Sequence, residues 1–455
     1  MTTRDFDTII IGAGQSGGPL AGAFARAGHR TALIERRQVG GTCINDGCTP
    51  TKTMIASARI AYLARRAPVF GVSTGEVRVD LRAVRERKQR VVERFRSGSE
   101  RRLEQSGVTL VRGDARFTGP RTVAVGGLRF EGKRIFINTG GRPARPNIPG
   151  LDRVPVYDST SIMELDDLPG TLVVLGGGYV GLEFAQMFRR FGCRVTVIQH
   201  GPQVLPREDL DVAHAVAEIL RDDGIELLLD TDLRCVARND NGAIRLVVRQ
   251  PTVDRALIAS HLLIAIGRTP NTETLGLETA GIATDEHGYI RVNDRLETNV
   301  PGVYALGDVK GGPAFTHISY DDFRVLRTNL LEGGSASITG RPVPYTVFID
   351  PQLGRIGLTE GEARARHRNV RVATLPMSHI ARAIETDEPR GFMKAVIDGD
   401  NDQILGASIL GAEGGELIAV LQIAMMARLP YYRLRDAIWS HPTLAEAFNN
   451  IFAQI

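Results

Sequence analysis

"DTIIIGAGQSG", Asp7 to Gly17, is the stretch that decides the fold. A short apolar run reads as a buried strand and enters a glycine turn of the form GxGxxG. The chain continues through an alanine-rich helical pattern that closes at "AGHR", then through a second apolar run, "TALIE", ending at Glu35. Gly12 makes the tight turn, Gly14 lets backbone approach a pyrophosphate, and Gly17 lets the helix pack on the strand. Free amides and the positive dipole end of the helix favour an anion at that point. Glu35 is placed to accept hydrogen bonds from an adenosine ribose, and Gln15 and Ser16 complete the turn. Strand, turn, helix and second strand together predict a dinucleotide-binding α/β unit.

The same grammar recurs in "TLVVLGGGYVGLEFAQMFRRFGCRVTVIQH", Thr171 to His200. Gly176, Gly178 and Gly181 hold the three glycine positions, with Tyr179 and Val180 between the last two. A second dinucleotide site is expected. Its second strand ends at Gln199 and His200, so no carboxylate stands at the strand end to hold a 2'-hydroxyl. An acid there would repel a 2'-phosphate, so its absence permits NADPH, with NADH as the other possibility. His200 and Arg207 are candidate partners for that phosphate.

The rest of the 455 residues sets limits on class. A 43% hydrophobic content and a mean hydropathy of −0.08 describe a soluble, multidomain protein with a large core. A net charge of +4 is too small and too dispersed for a nucleic-acid binder, and the densest charge run, Arg82 to Gln105, mixes Arg and Glu as a solvated helix face does. The N-terminus runs straight into a strand with no signal segment, and "ELIAVLQIAMMARLP", Glu416 to Pro430, is too short to span a bilayer. A cytoplasmic protein without membrane contact is expected, with Glu416 to Pro430 as a buried or subunit-interface helix. The expected boundaries are a first nucleotide unit over 1–150, a second over 151–272, a return to the first over 273–340, and an α+β domain over 341–455.

Two of the four cysteines lie in "GGTCINDGCTPTK", Gly40 to Lys52. A metal clip needs three or four ligands, and this stretch offers two with no neighbouring cysteine pair or histidine cluster. No metal site is expected. In a regular helix, residues five apart have Cα atoms about 8.5 Å apart, too far for a bridge, so Cys43 and Cys48 can pair only across distorted backbone. Asn45, Asp46 and Gly47 tolerate such backbone, and Pro50 suits a first helical turn. An irregular turn is expected to feed a helix containing Lys52 to Ala56, with the Cys48 thiolate stabilised near the helix N-terminus. So short a loop makes a poor staple and a better electron carrier. Cys193 and Cys235 read as small core or half-buried residues.

With "GGTCxNxGCxPTK", "GGGYVGLEFA", "GRTPN", "GVYALGD" and "HPTLAE" in this order, the chain resembles the class I pyridine nucleotide-disulfide oxidoreductases along essentially its whole length. Within them it looks closest to mercuric reductase-like flavoenzymes and the reactive-chlorine-resistance flavoproteins. The resemblance implies FAD on the first cradle, NAD(P)H on the second, and a homodimer made by the last domain. It implies that electrons pass from NAD(P)H through flavin to a Cys43–Cys48 disulfide, with Cys48 facing the flavin and Cys43 meeting substrate. Lys52 would lie near the flavin, paired with Glu183, and His441 and Glu446 from the partner subunit would form an acid/base dyad. Asp308, Gly41, Thr42, Ala115, Thr139, Gly140 and Gly267 complete the implied cofactor contacts.

Departures narrow the acceptor. His441 stands where true mercuric reductases have tyrosine, and the chain ends in "NNIFAQI" without their C-terminal cysteine pair. Neither does it show their N-terminal metal-binding domain. A metal ion such as Hg(II) or Cu(II), or a disulfide, is the expected acceptor. Asp46, between the cysteines, reads either as a carboxylate that attracts such a cation or as a solvated turn residue. The competing readings are a lipoamide dehydrogenase-like subunit and a redox-sensing FAD protein without turnover.

Overall fold

The computed structural model describes residues 3–239, 241–251 and 253–455. The chain divides into two compact units. One comprises Met1–Met54, Ala83–Ala144 and Gly267–Arg341, and the other Ile55–Arg82, Arg145–Ile266 and Pro342–Ile455.

The first unit is built on a seven-stranded sheet. Strand Thr3–Ile11 lies between Thr31–Glu35 and Leu128–Ile137, parallel to both, and begins earlier than the apolar run starting at Asp7 suggests. The sheet pairs Arg129 and Phe130 with Thr3 and Arg4, which extends the strand into polar sequence. Strand Val303–Ala305 adds parallel to the C-terminal half of Leu128–Ile137, while Thr122–Val125 pairs antiparallel with its N-terminal half. Parallel strands buried on both faces need continuous apolar runs, and Ile9, Ile10, Ile11, Ile135, Phe136 and Ile137 are all at most 3% exposed. Helix Gly17–Arg26 covers one face with Leu20, Ala21 and Phe24. The predicted charged helix is present as Leu81–Glu104.

The second unit holds a five-stranded parallel sheet in the order Glu226–Leu228, Arg194–Ile198, Thr171–Leu175, His261–Ile264, Val156–Tyr157. A three-stranded antiparallel sheet, Asp232–Arg238, Ile244–Arg249 and Asp254–Ala259, follows its outer strand in sequence. The C-terminal part of this unit is a separate five-stranded antiparallel sheet backed by helix Gly414–Met426, an α+β arrangement. Among the described residues no helix is long and apolar enough to cross a membrane.

The parallel strands of the two sheets present their glycine turns alike. Gly12 N donates to Ile34 O, and Gly176 N donates to Ile198 O, both at 2.8 Å. Gly12 and Gly176 take φ of +103° and +114°, the left-handed region, and a Cβ on either would fall within 2.3–2.4 Å of a carbonyl oxygen of the next strand's end, at Asn138 or Ala265.

Candidate active site: two nucleotide cradles and a dithiol

The first cradle is closed by groups far apart in sequence. Gly17 leaves no room for a side chain, since a Cβ would stand 2.0 Å from Gly12 O. Its N–H donates to Asn138 Oδ1 at 3.0 Å, and Asn138 Nδ2 donates to Ser16 Oγ at 2.7 Å and to Leu306 O at 3.0 Å. Ser16 Oγ shares a further hydrogen bond with Ser319 Oγ at 2.8 Å. Glu35 is 8% exposed and accepts Ala13 N–H at 2.8 Å and Arg37 N–H at 2.7 Å. Asn138 and Ser319 carry no motif and escape sequence reading; Asn138's place just past the Leu128–Ile137 strand is the one signal that could have found it.

Asp308 sits one residue past Gly307, whose N–H donates to the fully buried Asp322 at 2.8 Å. Burial raises the Asp308 carboxyl above the usual range, opposed by Arg268, 3.7 Å away, and by Lys310. Thr139 Oγ1 donates to Asn271 O, and Asn271 N–H returns to Gly140 O, both at 2.9 Å. Ala115 is buried, and the exposed Gly267 accepts Ala144 N–H at 2.9 Å within this same unit. A glycine turn, a buried acid at the end of the next strand and a second acid past a neighbouring strand fit a flavin dinucleotide.

The cysteine loop is fastened to that cradle. Gly40 N donates to Ala13 O at 2.8 Å, Gln15 Nε2 donates to Gly40 O at 2.9 Å, and a Cβ on Gly41 would lie 2.7 Å from Gly14 Cα. The expected irregular turn is smaller than the sequence suggests. Gly41–Asn45 is helical, carrying Thr42 and Cys43, and the break is confined to Asp46 and Gly47 before helix Cys48–Arg66 begins. Asn45 explains the early helix: its Nδ2 donates to Gly41 O and Val39 O, and its Oδ1 accepts Arg96 Nε at 2.8 Å. Lys52 follows in the second helix. Asp46 is a half-buried turn residue in an ion pair. Arg37 takes both its oxygens, at 3.1 and 3.4 Å, and its side chain is 18% exposed.

Cys43 and Cys48 are reduced thiols, joined by a hydrogen bond. That bond raises the Cys43 thiol far above the ordinary range, reinforced by burial and by the Cys48 charge, and opposed by the Thr316 hydroxyl and the Lys52 ammonium. Cys48 is the more exposed residue of the two, and its Sγ lies 3.4 Å from Thr316 Oγ1. Thr316 opens helix Thr316–Leu331 and is a further site residue that sequence reading missed. Burial pushes the Cys193 thiol up to about 12, as an inert core cysteine requires, and Cys235 is half-buried. Among the described residues no group of three or more His, Cys, Asp or Glu could hold a metal.

The second cradle lies in the other unit. A Cβ on Gly181 would stand 2.0 Å from Gly176 O, and helix Tyr179–Phe191 starts from Gly178 with Tyr179 and Val180 in its first turn. Gln199 Oε1 accepts Gly177 N–H at 2.8 Å. Glu183, 3% exposed, accepts Phe348 N–H at 2.8 Å. Sequence alone finds no carboxylate at this strand end, but the fold supplies one: Asp232, which opens the antiparallel sheet, sits 2.5 Å from His200 Nδ1. Arg207 is exposed on a loop fixed by Leu205 N donating to Gly177 O at 2.9 Å. In the α+β part of this unit His441 Nδ1 meets Glu446 Oε2 at 2.9 Å, with the ring 70% exposed.

Comparison with known proteins gives the family. Residues 6–322 match the family model "Pyridine nucleotide-disulphide oxidoreductase", and residues 343–451 match that family's dimerisation domain. The chain is 39% identical to "Probable pyridine nucleotide-disulfide oxidoreductase RclA" of Escherichia coli over 99% of both chains. It is 33% identical to a mercuric reductase of Staphylococcus aureus, over 97% of this chain and 81% of that one. It is 35% identical to a dihydrolipoyl dehydrogenase of Thermus scotoductus, over 97% of this chain and 96% of that one. Its fold superposes with a TM-score of 0.91 on a structure described as the Cu(II) complex of HOCl-induced flavoprotein disulfide reductase RclA from Escherichia coli, covering 99% of this chain and 100% of that one. The chain therefore belongs to the pyridine nucleotide-disulfide oxidoreductases, flavoenzymes that bind FAD and use NAD(P)H.

Proposed function

We propose that this enzyme is a homodimeric NADPH-dependent reductase whose Cys43–Cys48 pair delivers electrons to a metal ion such as Cu(II) or Hg(II), or to a disulfide. The observation that carries the reading is the hydrogen-bonded dithiol fastened to the first cradle. FAD, when bound there, supplies the two-electron step between nicotinamide and disulfide.

The chain's residues handle the protons and the exchange. Reduction of the disulfide takes the hydride of NADPH and yields NADP+ and one thiol with one thiolate. The raised Cys43 thiol keeps its proton, which leaves Cys48 as the thiolate. In the homodimer, the His441–Glu446 dyad serves the thiols of the other subunit, with Nδ1 held by Glu446 and Nε2 available to carry the proton. With a disulfide acceptor, the thiol–thiolate pair takes up one proton and gives back the Cys43–Cys48 bond and two small thiols. With metal, the two sulfurs are soft donors; two Cu(II) become two Cu(I), or one Hg(II) becomes Hg(0), as the Cys43 proton leaves and the disulfide re-forms.

The relative described in a Cu(II) complex supports the metal arm. Gln199 in place of an acid favours NADPH and speaks against a lipoamide dehydrogenase-like role, which turns on NAD. Anaerobic NADPH oxidation by the purified enzyme, followed with Cu(II), Hg(II), oxidised glutathione and lipoamide in parallel, tests the proposal. Turnover with a metal or glutathione supports it, and turnover confined to lipoamide with NADH overturns it.

A further inference from the structure

Gln199 and His200 end the strand that leads into the second cradle, where a coenzyme's adenosine ribose lies in such units. Gln199 spends its carbonyl oxygen on Gly177 N–H, which leaves its NH2 as a donor on the ribose side. His200 is 86% exposed at its side chain, and a ring so placed rotates freely unless something holds it. Asp232 holds it, at 2.5 Å from Nδ1.

Alone, a carboxylate at this point would repel a phosphate monoester. Bound to His200 it does the opposite. A proton on Nδ1 satisfies Asp232 and leaves Nε2 as the ring nitrogen for a ligand, and a phosphate on that side completes an imidazolium between two anions. We infer that Asp232 is a positioning residue for coenzyme choice, orienting His200 so that its Nε2 binds the 2'-phosphate of NADPH beside the Gln199 amide. The inference rests on the NADPH reading above and adds an acid to a site where acids ordinarily select against the phosphate.

The test uses the FAD-loaded enzyme, with 2',5'-ADP and 5'-ADP as inhibitory fragments and NADPH and NADH as substrates, for the parent, Asp232→Asn, Asp232→Glu, His200→Gln and the Asp232→Asn/His200→Gln double variant. Asp232→Asn is expected to weaken 2',5'-ADP and raise the NADPH KM about tenfold, the loss of one charge-assisted contact, while 5'-ADP inhibition changes little. Asp232→Glu recovers part of the loss, and Asp232→Asn adds nothing once His200 is Gln. If Asp232→Asn left 2',5'-ADP unchanged or tightened it, or weakened both fragments equally, the inference would fail while the NADPH reading stood. A parent enzyme that uses NADH as well as NADPH overturns that reading and the inference together.

Discussion

The Gln199 side-chain oxygen accepts the Gly177 backbone N–H at 2.8 Å, in the position where Glu35 of the first cradle accepts Ala13 N–H at the same 2.8 Å. The two cradles thus differ at this point by a carboxamide in place of a carboxylate. Gln199→Glu should keep the bond to Gly177 and add the charge that repels a 2'-phosphate. The expected result is a shift of the NADPH-to-NADH ratio of kcat/KM toward NADH by roughly tenfold to a hundredfold, about 1.4–3 kcal/mol. Steady-state kinetics with both coenzymes measures it.

The thiols should separate by role. Cys48→Ser is expected to remove the long-wavelength absorbance of a thiolate beside oxidised flavin, and Cys43→Ser to retain it while losing turnover. Because the Cys43 thiol is raised, the band should hold through neutral and mildly alkaline pH rather than change as a second thiolate forms. Absorbance spectra of the two variants, and of the NADPH-reduced parent across that pH range, decide the assignment.

Matched glycine replacements should have unmatched consequences. Gly17→Ala drives a Cβ to 2.0 Å from Gly12 O, and Gly181→Ala drives one to 2.0 Å from Gly176 O. The first should yield protein poor in flavin. The second should keep flavin, with coenzyme KM raised at least tenfold, for an overpacking cost of about 1–3 kcal/mol. Flavin content per chain and coenzyme kinetics separate the two.

These contrasts also mark what a sequence can disclose. Both cradles are legible because their glycines and strands are adjacent in the chain, and "GGTCINDGCTPTK" is legible because its chemistry is local. What faces those segments is not. Asn138 closes the first cradle from 121 residues away, and Thr316 reaches Cys48 from 268 residues away. Asp232 escapes for the same reason, since it meets His200 only through the packing of an antiparallel sheet. The cysteine loop shows a second limit. Gly, Asn and Asp signal irregular backbone, but Asn45 turns its side chain onto the preceding carbonyls and helps keep Gly41–Asn45 helical.

Stability of the second unit should depend on Asp350. Burial works against its charge, yet Arg190 and Arg59 outweigh burial and hold the carboxyl below its usual range. Asp350→Asn takes the shared anion from two guanidiniums that keep Glu388 and Asp223 as partners, at a cost of about 1.5–3 kcal/mol. A carboxyl depressed in the folded state contributes fully above its unfolded value, about pH 3.9, and loses that contribution as pH falls lower. Denaturant unfolding should therefore show a constant gap between parent and variant above about pH 4 and a narrowing gap below it.

The central claim is that NADPH electrons come to rest on Cys43 and Cys48. Anaerobic titration of the FAD-loaded enzyme with NADPH, read by absorbance and by thiol counting, tests it most directly. The account predicts that the first equivalent exposes two new thiols per chain and brings up the long-wavelength band with the flavin still oxidised. Bleaching of the flavin with no gain in thiols would contradict it.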